Sequence, residues 1–248
     1  IRIMNVPDKL FDIVIPVGPN DVKVIDKQIE YTKKNVIGYR NIYLITPDPN
    51  LNVNGCITID ESIYPFNKSL VEQIHGKSPR NGWYLQQLLK LYAGSVIPNI
   101  MEKYLVIDSD TFFLKPTTFI ENGKCLYNHG KENHTYYFEH MKRLHPDLYR
   151  VHPDKSGICH HMMFETKYIK GLFKLIEDKH NDIFYNVFLK QVHTNETQSG
   201  ASEYEIYFNY INKFKQNDII IRYLNWRDSS TIPNNSSYQY VSCHHYMR

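Results

Sequence analysis

The sequence predicts an α/β fold organised around a parallel sheet, and three stretches carry that prediction. Phe11 to Val17 runs apolar with little alternation, as a central strand buried on both faces requires. A helical pattern and two more strand-like runs follow, Asn41 to Thr46 and Cys56 to Ile59, which is the spacing of a βαβ beginning. Tyr104 to Ile107 is a further β-branched and apolar run, and it ends abruptly in Asp108-Ser109-Asp110.

The remaining elements follow in order. Pro16 ends the first strand. Gly18-Pro19-Asn20-Asp21 is turn chemistry, with Asp21 placed to cap the next helix. That helix carries Val22, Ile25 and Ile29 on one face. Pro47 and Pro49 close the second strand, and the absence of G-x-G-x-x-G argues against a dinucleotide site. Pro65 and Gly76 break the next stretch, leaving a short helix around Ser69 to Ile74. After the loop 78–82 comes a strong helix with Leu85, Leu88, Leu89, Tyr92 and Val96 as its buried stripe. Trp83, Gln86, Gln87 and Lys90 fall off that stripe. Lys124 to Asn128 and Gly157 to Phe164 read as strands. Tyr168 to Lys179 and Asp182 to Val192 read as amphipathic helices. The segment from Gln198 starts another helix, running to about Lys213, in which Ser202 and Glu205 have capping-box spacing. Ile219 to Leu224 and Tyr238 to Cys243 are the final strands.

Two carboxylates one residue apart, at the exposed end of a buried strand, do not belong to a core. In an open α/β sheet, ligands bind at the carboxyl ends of the strands. Two hard oxygen ligands there suit Mg²⁺ or Mn²⁺, which take further oxygens from a diphosphate. A bare Asp-x-Asp also builds turns and helix caps, which is the structural alternative. Arg80 stands just before the strong helix, where guanidinium and helix N-terminus both attract phosphate; a solvated surface Arg is the alternative. Trp83 reads as core packing before sugar stacking. Gln87 either donates to sugar hydroxyls or faces water. His160 and His161 are adjacent on a strand and so point to opposite faces; His161 is the one assigned to the cleft.

The apolar strand, Asp108-Ser109-Asp110, Thr111, two aromatics, Leu114 and Pro116 resemble the DxD segment of glycosyltransferases with the GT-A fold. Gly82-Trp-Tyr-Leu-Gln-Gln-Leu-Leu-Lys90, Ile158-Cys-His-His-Met-Met-Phe164 and Ser202-Glu-Tyr-Glu-Ile-Tyr-Phe-Asn209 resemble one subfamily, the small glycosyltransferase-like proteins of bacteria and large DNA viruses. With the opening Phe11-Asp-Ile-Val-Ile-Pro-Val-Gly18, the resemblance spans about residues 11 to 246. It implies a Rossmann-like, mixed but mainly parallel sheet flanked by helices in a single domain over residues 1–248. About 1–128 would bind the nucleotide sugar, and about 129–248 would bind the acceptor and supply a C-terminal metal ligand.

The resemblance also assigns residues. Pro16, Val17 and Gly18 would hold the base and ribose, a strand-to-helix loop being the plain alternative. Asp108, Ser109 and Asp110 would meet the diphosphate, with Asp110 on the metal and Asp108 on it directly or through water. Many GT-A enzymes complete the metal shell with a His after the last core strand. His244 holds that place, with His245 as fallback, and a nitrogen ligand tilts the choice toward Mn²⁺. The segment from Ser202 would lie beside the reaction centre, where Glu203 binds acceptor hydroxyls or acts as general base. Residues 129 to 156 would form a loop and helix shaping an acceptor pocket. Their His129, His134, His140, His145 and His152 are too scattered for a metal site and read as surface residues.

Composition excludes several classes. Charge of 22% and 42% hydrophobic residues are ordinary for a soluble globular chain, and a net charge of +3 without a basic run gives no argument for nucleic acid. No apolar run approaches the roughly 18 residues of a membrane span. Cys56, Cys125, Cys159 and Cys243 form no CxxC pair and read as reduced thiols in a cytoplasmic protein. Sequons at Asn67, Asn133, Asn195, Asn234 and Asn235 are what an Asn-rich chain produces by chance. The 20 Tyr are read mainly as AT-rich composition, with sugar stacking on exposed Tyr as the alternative. The chain starts at Ile1 without a signal-peptide pattern, as a trimmed chain or a piece of a longer polypeptide would.

The expected activity is therefore transfer of a hexosyl or deoxyhexosyl group from a nucleotide sugar, UDP by resemblance, to a carbohydrate acceptor. Two rivals stand beside it. One is a metal-dependent hydrolase or nucleotidyltransferase using Asp108, Asp110 and His161. The other is a non-catalytic nucleotide- or carbohydrate-binding protein with a decayed site.

Overall fold

The computed structural model describes residues 8–194 and 199–248; the Asn195 sequon and Gln198 lie outside them. The first half of the chain runs β1 (Phe11–Pro16), α1 (Ile25–Asn35), β2 (Tyr39–Thr46), β3 (Ile57–Asp60), α2 (Lys68–His75), α3 (Asn81–Val96), β4 (Lys103–Ile107), β5 (Thr111–Phe113), β6 (Ile120–Glu121) and β7 (Lys124–Tyr127). The second half runs α4 (Thr135–Leu144), β8 (His161–Glu165), α5 (Thr166–His180), α6 (Phe184–Lys190), α7 (Glu203–Phe214), β9 (Ile219–Ile221), β10 (Trp226–Asp228) and β11 (Tyr240–Ser242).

The main sheet has the order β3-β2-β1-β4-β8. Its first four strands are mutually parallel and β8 is antiparallel to β4. The mixed, mainly parallel α/β sheet flanked by helices is thus present. All six residues of β1 are buried, so its apolar run reflects cover on both faces. The exception inside it, Asp12, is fully buried and takes a bidentate pair from Arg40 at 3.0 and 2.7 Å. Two small sheets, β10-β11-β5 and β6-β7-β9, flank the main one. Strands from after residue 128 contribute to all three sheets.

The strand order reverses at β1. β2 and β3 lie to one side of it and β4 to the other. In open α/β sheets the crevice at such a switch point is where ligands bind, and here the loops leaving β1 and β4 are joined by the Ser109 hydroxyl donating to Asp21 at 2.6 Å. Gly18 and Asp108 stand at the carboxyl ends of those two strands.

Several local expectations change. α1 begins at Ile25, with no side-chain cap at its start. Val22 precedes it and is exposed, because Asp21 turns its carboxylate to Ser109 Oγ (2.6 Å) and Arg248 (2.6 Å) instead of capping. α3 is buried nearly all round, so Gln87 and Lys90 are inside, while Val96 at its end is only half-buried. His140 is not a surface residue. It is fully buried, with Nε2 against the Phe188 carbonyl at 2.9 Å, and burial lowers its pKa to about 3. Strand β10 is short, charged and carries no period-2 pattern, and nothing local announces it. All four cysteines are free, and no helix among the described residues is long and apolar enough to cross a membrane.

Candidate functional site: a carboxylate–histidine centre at the end of β4

After Ile107 the chain turns through Asp108-Ser109-Asp110 into β5, and three strand pairings aim other side chains at this turn. The β4–β8 register sets Ile107 opposite His161, and the Asp108 N–H donates to the His160 carbonyl at 3.0 Å. His160 therefore lies beside Asp108. The β5–β11 register sets Thr111 opposite Ser242, and the Cys243 N–H donates to the Asp110 carbonyl at 2.8 Å, which brings in His244. β10 runs parallel to β11 with Asp228 opposite Ser242, delivering a third carboxylate.

The contacts follow from those registers. His244 Nδ1 donates to Asp110 Oδ2 at 3.1 Å, and its Nε2 donates to Asp228 Oδ1 at 3.0 Å. His160 Nδ1 meets Asp108 Oδ2 at 3.2 Å, while its Nε2 lies 3.7 Å from Asp228 Oδ1. The two imidazole rings are 4.8 Å apart, centre to centre. Burial works against charge on His244, but Asp110 and Asp228 outweigh it and hold its pKa up at about 10.

Behind the turn lies a second layer. Lys90 Nζ donates to Asp108 Oδ1 at 2.7 Å and to Glu203 Oε1 at 2.8 Å, and the Tyr204 hydroxyl donates to Asp108 Oδ1 at 2.6 Å. Burial opposes the charges on Lys90 and Asp108. Their mutual attraction, with Glu203 on the lysine and His160 on the aspartate, outweighs it and holds Lys90 above and Asp108 well below their ordinary values.

The residues picked from sequence divide into two groups. Pro16 and Val17 are buried at the end of β1, with Gly18 just beyond them at the crevice; a side chain at Gly18 would press on Gln86 Nε2 at 2.8 Å. Asp110 meets His244 at 3.1 Å and Asp108 meets His160 at 3.2 Å, while the Ser109 hydroxyl turns to Asp21 and His245 makes an edge contact with Tyr246. Arg80 reaches Ser199 Oγ at 2.6 Å and lies over the Trp83 ring at 5.0 Å, so Trp83 packs between Arg80 and the edge of Tyr84.

Three assignments are corrected. His161 does not face the cleft: it is buried among Phe113, Phe119 and Tyr240, with Nδ1 on the Cys159 carbonyl, and burial lowers its pKa to about 3. The strand begins only at His161, so His160 takes a left-handed φ of 61° that turns its ring to the carboxylates. Glu203 is not free for an acceptor. It is 4% exposed and engaged by Lys90. Gln87 reaches neither sugar nor water; its amide bridges the Ala201 carbonyl and the Glu203 N–H, holding the start of α7. Asp108, expected on the metal, already accepts hydrogen bonds at both oxygens.

The capping box forms in half. Ser202 Oγ accepts from the Glu205 N–H at 3.2 Å, but the Glu205 side chain turns to Ser156 Oγ (3.1 Å) and the Gly157 N–H (2.5 Å). Glu205 is fully buried, and burial outweighs those bonds and lifts its pKa to about 7. A carboxyl whose pKa is raised on folding stabilises the protein below its unfolded value and loses that contribution as pH rises through the folded value. Stability is therefore expected to fall between about pH 4.5 and pH 7, by of order 1–3 kcal/mol from this group. Glu205→Gln, an isostere of the protonated acid, should flatten that fall. Urea midpoints for both proteins at pH 5 and pH 8 check it, and equal slopes would refute the assignment.

Sequence reasoning missed Lys90, His160, Tyr204 and Asp228. The Asp110, Asp228, His160 and His244 donors suit a divalent cation by type. The His160, Asp228 and His244 ligand atoms lie within 4.8 Å of one another, and His160 Nε2 is buried without a hydrogen-bond partner. Comparison with known proteins adds a family and no chemistry. No curated protein matches the chain. The model of a family of unknown function, DUF6492, matches residues 11–243, and since that covers nearly the whole chain, the protein belongs to this family.

Proposed function

We propose that this chain is a metal-dependent glycosyltransferase of the GT-A type, moving a hexosyl or deoxyhexosyl group from a nucleotide sugar, UDP-linked, to a carbohydrate hydroxyl. One observation carries the reading: Asp108-Ser109-Asp110 leaves β4 at the point where the strand order reverses beside β1, and His244 meets Asp110 there at 3.1 Å. The switch-point crevice is where an open α/β sheet binds a nucleotide. At Gly18 the missing side chain leaves room for Gln86 Nε2, which a Cβ there would meet at 2.8 Å. The Ser109–Asp21 hydrogen bond ties the loop after β1 to the carboxylate turn, so both sides of the crevice are held together.

Asp110 and His244 would hold Mn²⁺ or Mg²⁺, with Asp108 behind them. A bound cation would act as a Lewis acid, offsetting charge that grows on the leaving diphosphate. Arg80, just before α3, would add a positive charge toward the diphosphate. Glu203 and His161, both buried and engaged, are not carried forward as acceptor base. Four free thiols fit a reducing, cytoplasmic setting.

The test is a panel of nucleotide sugars with Mn²⁺ and no acceptor, scored for slow release of the free nucleotide, beside thermal shift with UDP and Mn²⁺. Release from one donor is expected, with stabilisation of about 5–10 °C at ligand near 100 times Kd. Stabilisation without release from any donor would leave a strict acceptor requirement or a decayed, binding-only site, and absence of both effects would end the glycosyltransferase reading.

A further inference from the structure

We infer that the cation is held by four protein side chains, Asp110, Asp228, His160 and His244, tightly enough to bind before any nucleotide, and that Asp108 positions His160 instead of ligating. The inference deepens the metal site proposed above and does not depend on the transfer reaction.

The geometry that leads there has three parts. First, the His160, Asp228 and His244 donor atoms lie within 4.8 Å of one another, and Asp110 Oδ2 is 3.1 Å from His244 Nδ1. Donors about 2.1 Å from a shared ion stand roughly 3.4 Å apart in a tetrahedron. Asp110 and Asp228 meet opposite nitrogens of the His244 ring, so a four-donor shell forms when that ring turns to present one nitrogen beside both carboxylates. Second, His160 is arranged as a ligand and not as a structural histidine. Its Nδ1 is fixed by Asp108 Oδ2 at 3.2 Å, which leaves Nε2 facing Asp228. That Nε2 is buried and unpartnered. A carboxylate that fixes one imidazole nitrogen so that the other can bind metal is the usual supporting arrangement of metal-bound histidine. Third, Asp108 is spent. Lys90 and Tyr204 take Oδ1 and His160 takes Oδ2, with Lys90 pairing its charge at 2.7 Å.

Two imidazoles and two carboxylates select a first-row transition cation such as Mn²⁺, Co²⁺ or Zn²⁺ over Mg²⁺ or Ca²⁺, which prefer oxygen alone. A diphosphate would then meet a cation already in place.

The experiment uses the full chain and Mn²⁺ alone, without nucleotide. Titration calorimetry is expected to show one tight site that excess Mg²⁺ does not displace. Pulsed EPR on the bound Mn²⁺, in protein with ¹⁵N-labelled histidine, should count two coordinated imidazoles. His160→Ala should reduce the count to one, and Asp228→Asn should weaken Mn²⁺ by at least tenfold. Asp108→Asn should keep both imidazoles while weakening Mn²⁺ by about 10–100-fold, as loss of an outer partner does. No Mn²⁺ binding without nucleotide, or a single imidazole in the wild-type spectrum, would overturn the inference. The wild-type count stands even if a variant misfolds. Mn²⁺ binding with two imidazoles but neither UDP stabilisation nor nucleotide release from any donor would sink the glycosyltransferase reading and leave the metal site intact.

Discussion

Lys90→Met is expected to destabilise the protein by about 3–5 kcal/mol, the cost of stripping a buried ion pair of one partner. Met keeps most of the volume, so packing changes little and the effect is electrostatic. The side chains of Lys90 and Glu203 are 8% and 5% exposed, and that of Asp108 is 21% exposed. Without the ammonium, two carboxylates are left facing one another in a poorly hydrated space. Set against the roughly 5–15 kcal/mol that holds a typical domain folded, such a loss is large. Urea unfolding of the wild type, Lys90→Met and the double variant Lys90→Met/Glu203→Gln checks it. The double variant should recover part of the loss, because it removes one of the two stranded charges. A single-variant loss under about 1 kcal/mol would mean that water reaches this network and that it holds α3, α7 and β4 together only weakly.

Asp110→Ala is expected to abolish Mn²⁺-dependent UDP binding while the fold survives. The side chain of Asp110 is 13% exposed and, among the described residues, hydrogen-bonds His244, so its removal should cost about 1–3 kcal/mol. Its loss from the cation shell should exceed the ~10–100-fold that outer partners cost. Circular dichroism should stay near wild type, the urea midpoint should fall by no more than that loss requires, and the thermal shift with UDP and Mn²⁺ should vanish. A variant that still binds UDP with the same Mn²⁺ dependence would show that Asp110 is part of an ordinary turn.

Much of the framework was legible because it is written in short-range patterns. The unbroken apolar run of β1 and that of β4 marked strands buried on both faces, and α2, α3, α5 and α7 announced themselves by helical spacing and turn residues. The Asp108-Ser109-Asp110 turn stood out because carboxylates at the end of such a strand have no place in a core. His244 was singled out through the resemblance, as a His after the last strand, with His245 beside it as fallback. Asp21 looked like a helix cap by the same local logic, yet its carboxylate went to Ser109 and Arg248. A cap is one local option for a short acidic side chain, and a partner distant in sequence can win it.

The sequence by itself therefore determined most of the strands and helices, the parallel character of the sheet and the place of the carboxylate turn. The tertiary structure decided which side chains meet that turn. Whether His160 or His161 faces Asp108 depends on the β4–β8 register and on a single left-handed residue, since a shift of one residue moves a strand side chain to the other face. Asp228 arrives only because β10 pairs with β11. Lys90 lay off the predicted buried stripe of α3, yet it meets Glu203 from 113 residues away and Asp108 from 18. Hydrophobic periodicity is a property of neighbours along the chain. A charge is tolerated inside only where partners converge in space, and those partners do not appear in the local pattern.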